Sequence, residues 1–105
     1  MKTITRNEEL IMLSVLNLGE EAYLVAIKDH LSDVTGKKIS LTSIHLPLSR
    51  LEKGGLIEAS FGEATAVRGG RRKKIYRITR AGLDALDEYK KINDVLWADY
   101  AKLTT

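Results

Sequence analysis

The hydrophobic period of this chain changes at Gly54-Gly55, and that change limits the folds open to it. Before the two glycines, apolar residues recur at steps of three and four; after them, apolar and polar residues alternate. Side chains meet every 3.6 residues on a helix and every two on a strand, so the first pattern calls for helices and the second for strands. From Thr79 onward the helical period returns. The expected order is three helices, a two-stranded hairpin and a long last helix: a mainly α fold with a small β-hairpin. At 105 residues the chain is the size of one domain, commonly ~100–150 residues. Residues 1–79 form the expected compact unit, with the hairpin over 56–78, and 80–105 a carboxy-terminal helix of the same unit.

Local signals place the elements. Thr5 and Glu8 have capping-box spacing, in which hydroxyl and carboxylate satisfy each other's free amides. The apolar residues that follow, Leu10 to Leu18, surround most of the first helix, so more than one neighbour must cover it. Gly19 ends it. A second helix is expected over 22–34, with Tyr23, Leu24, Ile27, Leu31 and Val34 on its buried stripe. A third is expected over 40–53, capped by Ser40, with Ile44, Leu48 and Leu51 buried. Pro47 lies past its first turn and should remove a backbone bond and bend it. Strands are expected over 56–61 and 73–78, with Tyr76 as core or hairpin packing and a Gly- and Arg-rich loop over 62–72 between them. Thr79 caps the last helix, whose stripe of Leu83, Leu86, Tyr89, Ile92, Leu96, Tyr100 and Leu103 is too long for so small a core to cover.

Charge is divided unevenly. From Gly36 to Arg80 there are eleven basic and three acidic residues, a net +8; the remainder carries six basic and eleven acidic, a net −5, and the whole chain is +3. A pole this basic in a small domain points to a polyanionic partner. The absence of cysteine excludes disulfides, thiolate metal sites and a cysteine nucleophile. His30 and His45 are too isolated to suggest a metal. There is no Gly-x-Ser-x-Gly elbow and no phosphate-cradling glycine loop, so neither an enzyme nor a cofactor is expected. With no run of ~20 apolar residues and no secretory pattern at the amino terminus, the expectation is a soluble cytoplasmic protein without membrane contact.

Helix, helix, helix, hairpin is the order of a winged helix-turn-helix, in which the third helix enters the major groove of DNA and the hairpin approaches the flanking backbone. On the third helix, Thr42, Ser43 and His45 can donate and accept hydrogen bonds, as base-edge reading requires, while Ser49, Arg50 and Lys53 lie further along, where cations suit phosphates. The wing supplies Arg68, Arg71, Arg72, Lys73 and Lys74 for salt-sensitive phosphate contact. The only aromatic residue expected near these cations is Tyr76, which leaves RNA without a stacking platform.

Two stretches carry a family resemblance. The first is Ser43-Ile44-His45 leading into Ser49-Arg50-Leu51-Glu52-Lys53-Gly54-Gly55-Leu56-Ile57. The second runs from Gly69-Gly70-Arg71-Arg72-Lys73-Lys74 through Ile75-Tyr76-Arg77-Ile78-Thr79-Arg80-Ala81-Gly82. Together they resemble the PadR-like transcriptional regulators, over about residues 9–86. The usual Tyr of the third helix is His45 here, the usual proline falls one position later at Pro47, and the His-Gly-Tyr before the second helix is Glu21-Ala22-Tyr23. The resemblance implies a short-tailed member that pairs as a homodimer through its first and last helices. The interface residues would include Leu10, Leu13, Tyr89, Ile92, Val95, Leu96, Trp97, Tyr100 and Leu103.

The expected function is therefore sequence-specific binding of double-stranded DNA at a pseudo-palindromic operator by a homodimeric repressor. A small-molecule effector would relieve it by favouring another separation of the two reading heads. The alternative is a winged helix used as a protein-interaction module, with the basic face against an acidic partner.

Overall fold

The computed structural model describes residues 4–62 and 73–104. Helix α1 (Arg6–Leu18) is followed by a single 3₁₀ turn (Gly19–Glu21), α2 (Leu24–Thr35) and α3 (Leu41–Lys53). Strands β1 (Ile57–Phe61) and β2 (Lys74–Ile78) come next, and α4 (Arg80–Thr104) closes the chain. The expected order of elements is the order found.

The caps are where the sequence puts them. Thr5 Oγ1 accepts from the Glu8 amide at 3.1 Å while Glu8 Oε1 accepts from the Thr5 amide at 2.9 Å, a complete capping box. Ser40 Oγ accepts from the Ser43 amide, starting α3. At the junction into α4, Thr79 Oγ1 accepts from the Gly82 amide at 3.1 Å and donates to the Gly55 carbonyl at 2.6 Å. One hydroxyl thus starts α4 and ties it to the turn that ends α3. That turn needs φ of 78° at Gly55, a conformation side chains disfavour.

Helix α3 runs unbroken through Pro47, whose ring is buried beside Ile44, Leu48 and Leu51. The strands pair antiparallel with Ile57 opposite Ile78, Ala59 opposite Tyr76 and Phe61 opposite Lys74. One core unites all of these elements. Ile11, Met12 and Val15 of α1 meet Ile27 of α2, Leu48 and Leu51 of α3, Ile57 of β1 and Tyr76 of β2, with Leu86 sealing the side where α4 departs.

Helix α2 corrects two expectations. It begins at Leu24 rather than near residue 22, because Ala22 is fully buried in a non-helical connection and its carbonyl accepts from the Tyr76 amide at 2.8 Å. That bond fixes the chain to β2 and holds it out of the helix. Val34, expected on the buried stripe, is 65% exposed; in the last turn the chain has already left the core.

Helix α4 reaches beyond the body. Its 25 residues span about 37 Å at ~1.5 Å per residue, and the molecule measures 59 × 31 × 20 Å. Only the first turns, through Leu86 and the half-buried Tyr89, contact the core.

Candidate nucleic-acid interface

One side of α3 packs on the core and the other is open. The open side carries Thr42, Ser43, His45, Arg50 and Lys53, all exposed, with Ser49 half-buried. Ser43 is the least free of them. Its hydroxyl donates to the Ser40 carbonyl at 2.7 Å and so retains only acceptor capacity toward anything outside. Leu46 is 60% exposed on this same side, although the expected readers did not include it. Its sequence signal is simple, since it is an apolar residue four positions after Thr42 and off the buried stripe.

The acidic residue of α3, Glu52, is engaged. Lys74 Nζ of β2 donates to Glu52 Oε1 at 3.2 Å, which joins the loop end of the hairpin ladder to the carboxy-terminal half of α3. The Glu52 carboxylate holds the Lys74 ammonium above its ordinary pKa by this hydrogen bond, against a smaller opposing effect of burial. The pair neutralises the carboxylate on the cationic side of the molecule, so the remaining charge there is basic.

Lys73 also has a partner that its sequence position does not suggest. Its ammonium lies 4.2 Å from the centre of the Tyr23 ring, within the range of a cation–π contact. Tyr23 and the 64%-exposed Phe61 therefore join Tyr76 as aromatic residues near the wing cations, correcting the expectation of one. Tyr76 itself is core packing, as expected, at 5% exposure. Arg68, Arg71 and Arg72 lie outside the described residues. Lys73 and Lys74, which follow them in the chain, lie at the loop end of the hairpin ladder, in contact with Tyr23 before α2 and with Glu52 of α3.

The far half of α4 is a bare apolar surface. Ile92, Val95, Leu96, Trp97, Tyr100 and Leu103 are each at least 55% exposed. Trp97 and Tyr100 meet edge to face with centroids 5.1 Å apart and, with Asn93 and Leu96, line a shallow groove of about 280 Å³. On α1, Leu13 is 41% exposed, whereas Leu10 is half-buried against the core. Among the described residues no cluster of His, Asp or Glu could hold a metal ion, and no helix is long and apolar enough to cross a membrane.

Three packed helices, an antiparallel hairpin joined to the third of them, and an open polar and basic face on that third helix define a winged helix-turn-helix protein. The model of the PadR-like family of transcriptional regulators matches residues 12–88, and the chain belongs to that family. The fold supports a DNA-binding regulator. A PadR family transcriptional regulator from Eggerthella lenta is similar at 30% identity and a TM-score of 0.70, over 93% of this chain and 83% of that one. A PadR-like transcriptional regulator from Bacillus cereus is similar at 26% identity and a TM-score of 0.70, over 90% of this chain and 89% of that one. A transcriptional regulator from Clostridium thermocellum shares the fold at 24% identity and a TM-score of 0.71, over 98% of this chain and all of the other. No curated protein sequence matches the chain.

Proposed function

We propose that this chain is a sequence-specific DNA-binding repressor acting as a homodimer, with residues 1–79 as the reading unit and 80–105 as the pairing helix. The observation that carries the reading is the Lys74–Glu52 ion pair. It ties the loop end of the basic hairpin, where Lys74 stands opposite Phe61, to the helix whose open side bears Thr42, His45, Arg50 and Lys53, so one duplex can touch both. Thr42, Ser43 and His45 would address base edges, while Ser49, Arg50, Lys53 and the wing residues Arg68, Arg71, Arg72, Lys73 and Lys74 address phosphates.

Dimerisation is supported by the apolar half of α4. Six large side chains left in water on the far half of one helix form a patch that soluble monomers rarely expose, and a second copy offers the same surface in return. Pairing through Ile92, Val95, Leu96, Trp97, Tyr100 and Leu103 would set two reading helices ~34–36 Å apart, one turn of duplex. Occupancy of an operator would block a promoter. A small effector that binds one dimer geometry better than another would release it.

The test combines gel shift and sedimentation. The reading expects a dimer that shifts random duplex weakly and a selected operator strongly, with both affinities falling steeply as salt rises. A monomer that ignores duplex and heparin but binds an acidic protein would overturn it in favour of the protein-interaction module.

A further inference from the structure

The open side of α3 contains an apolar group that phosphate contact and hydrogen-bonded base reading leave without a role. Thr42, Leu46, Ser49 and Lys53 follow one another at steps of four, three and four and so form a single stripe on the helix. Leu46 stands in the middle of that stripe at 60% exposure. Beside it a shallow groove of about 330 Å³ runs between α3 and the start of α2, lined by Leu24, Leu41, Thr42, His45 and Leu46. A lone exposed leucine is ordinary on a protein surface; its surroundings distinguish this one. The acidic residue of α3 is paired with Lys74, and Arg50 and Lys53 continue the same helix toward its carboxy end, both exposed. The charge around Leu46 therefore suits a polyanion rather than an apolar peptide.

A duplex offers such a side chain one apolar complement in its major groove. The four base pairs present hydrogen-bonding groups there, and thymine alone adds a methyl. Resting on the reading that α3 faces DNA, we infer that Leu46, with the groove wall formed by Leu41 and Thr42, reads the 5-methyl group of a thymine and so determines sequence preference at one base pair of each half-site. Thr42 adds a methyl of its own to the contact, and its hydroxyl addresses the neighbouring base edge. His45, on the other flank of the groove, limits where the thymine can sit. The specificity is steric and hydrophobic: cytosine at that position removes the methyl, and a purine replaces it with polar atoms that Leu46 cannot satisfy.

The experiment removes the methyl without altering any hydrogen bond. A binding site is first selected from a randomised duplex pool with the full chain. Each thymine of the site is then replaced singly by deoxyuridine, and affinities are measured for the parent, Leu46→Ala and Leu46→Gln. One thymine per half-site should show a loss of about fourfold on replacement in the parent, the worth of one buried methyl. That loss should vanish in both variants. Leu46→Gln keeps the length of the side chain and Leu46 lies outside the core, so the comparison survives if the alanine variant is poorly folded; the parent series requires no variant at all. Selection of a site in which no thymine is sensitive, or equal sensitivity in parent and variants, overturns the inference while leaving the DNA-binding reading in place. Failure to bind any duplex overturns that reading instead.

Discussion

A Cβ built on Gly82 would stand 2.1 Å from the carbonyl oxygen of Leu56 and 2.8 Å from Cγ2 of Ile78. The first turn of α4 is thus pressed against the backbone that enters β1, closer than any side chain permits. The same Leu56 carbonyl accepts from the Thr79 amide at 3.1 Å, so it cannot move aside without breaking the bond that anchors α4. Alanine usually favours a helix over glycine by about 1 kcal/mol, but here the clash is with main chain and should prevail. Gly82→Ala is expected to destabilise the fold by about 1–3 kcal/mol and to lower the thermal midpoint by at least about 4 °C. A midpoint equal to or above the parent's would contradict this close approach.

Thr79 provides a second test of the same junction. Thr79→Val keeps the shape and loses both hydrogen bonds of the hydroxyl, and should cost about 1–2 kcal/mol, in the range of lost helix caps. Thr79→Ser keeps both bonds and should remain within about 0.5 kcal/mol of the parent. Denaturant unfolding separates the two; similar losses in both variants would mean that the hydroxyl contributes little.

The apolar half of α4 can be tested by spectroscopy. Trp97 is the only tryptophan and is 62% exposed on a single chain, so its emission reports pairing directly. Dilution should shift the emission to the red as dimers part. Leu96→Lys, at a position far from the core, should hold it red at every concentration and sediment near 11.7 kDa. Concentration-independent emission in the parent would remove the dimer from the proposed function.

The Lys74–Glu52 pair predicts a pH effect with a definite sign. Because the folded state raises the pKa of Lys74, the pair's stabilisation is fully present below the ordinary lysine value of 10.5 and fades as pH climbs through the raised one. Both partners are partly solvated, which limits the contribution to under about 1 kcal/mol. Glu52→Gln should flatten the alkaline limb of stability above pH 10. It should also remove the carboxylate that competes with phosphate for Lys74 and steepen the salt dependence of random-duplex binding by up to about 0.9. Parent-like behaviour in both measurements would deny the pair any influence.

On the DNA side, Arg71→Ala and Arg72→Ala should each weaken operator and random duplex alike and reduce the salt slope by about 0.9. Thr42→Ala should instead reduce discrimination at particular base pairs and leave the slope alone. Ser43→Ala is less clean, since the hydroxyl also bonds the Ser40 carbonyl in the first turn of α3. Slopes unchanged in the arginine variants would refute the wing assignment.

Features set within a few residues were legible in the sequence. Thr5 with Glu8 and Ser40 with Ser43 start their helices through contacts three residues apart, and Gly54-Gly55 stops α3 as read. The bare stripe from Ile92 to Leu103 was visible because its apolar residues outnumber what a small core can cover. Tyr23 against Lys73 was not legible, because no local pattern relates an aromatic residue before α2 to a cation at the end of a hairpin. The start of α2 is not legible for the same reason, since the bond from the Tyr76 amide to the Ala22 carbonyl overrides a locally acceptable helix.

The sequence by itself determined the kinds of element, their order and the polarity of their faces, since period, caps and glycines act over one turn of chain. Only the tertiary structure decided which groups meet across long separations: Lys74 with Glu52, Arg77 with Glu20, Gly82 beneath Leu56. Those meetings depend on how the buried faces of α1, α3 and the hairpin close around one core. Burial is non-directional, so no short stretch of sequence encodes the partners it brings together.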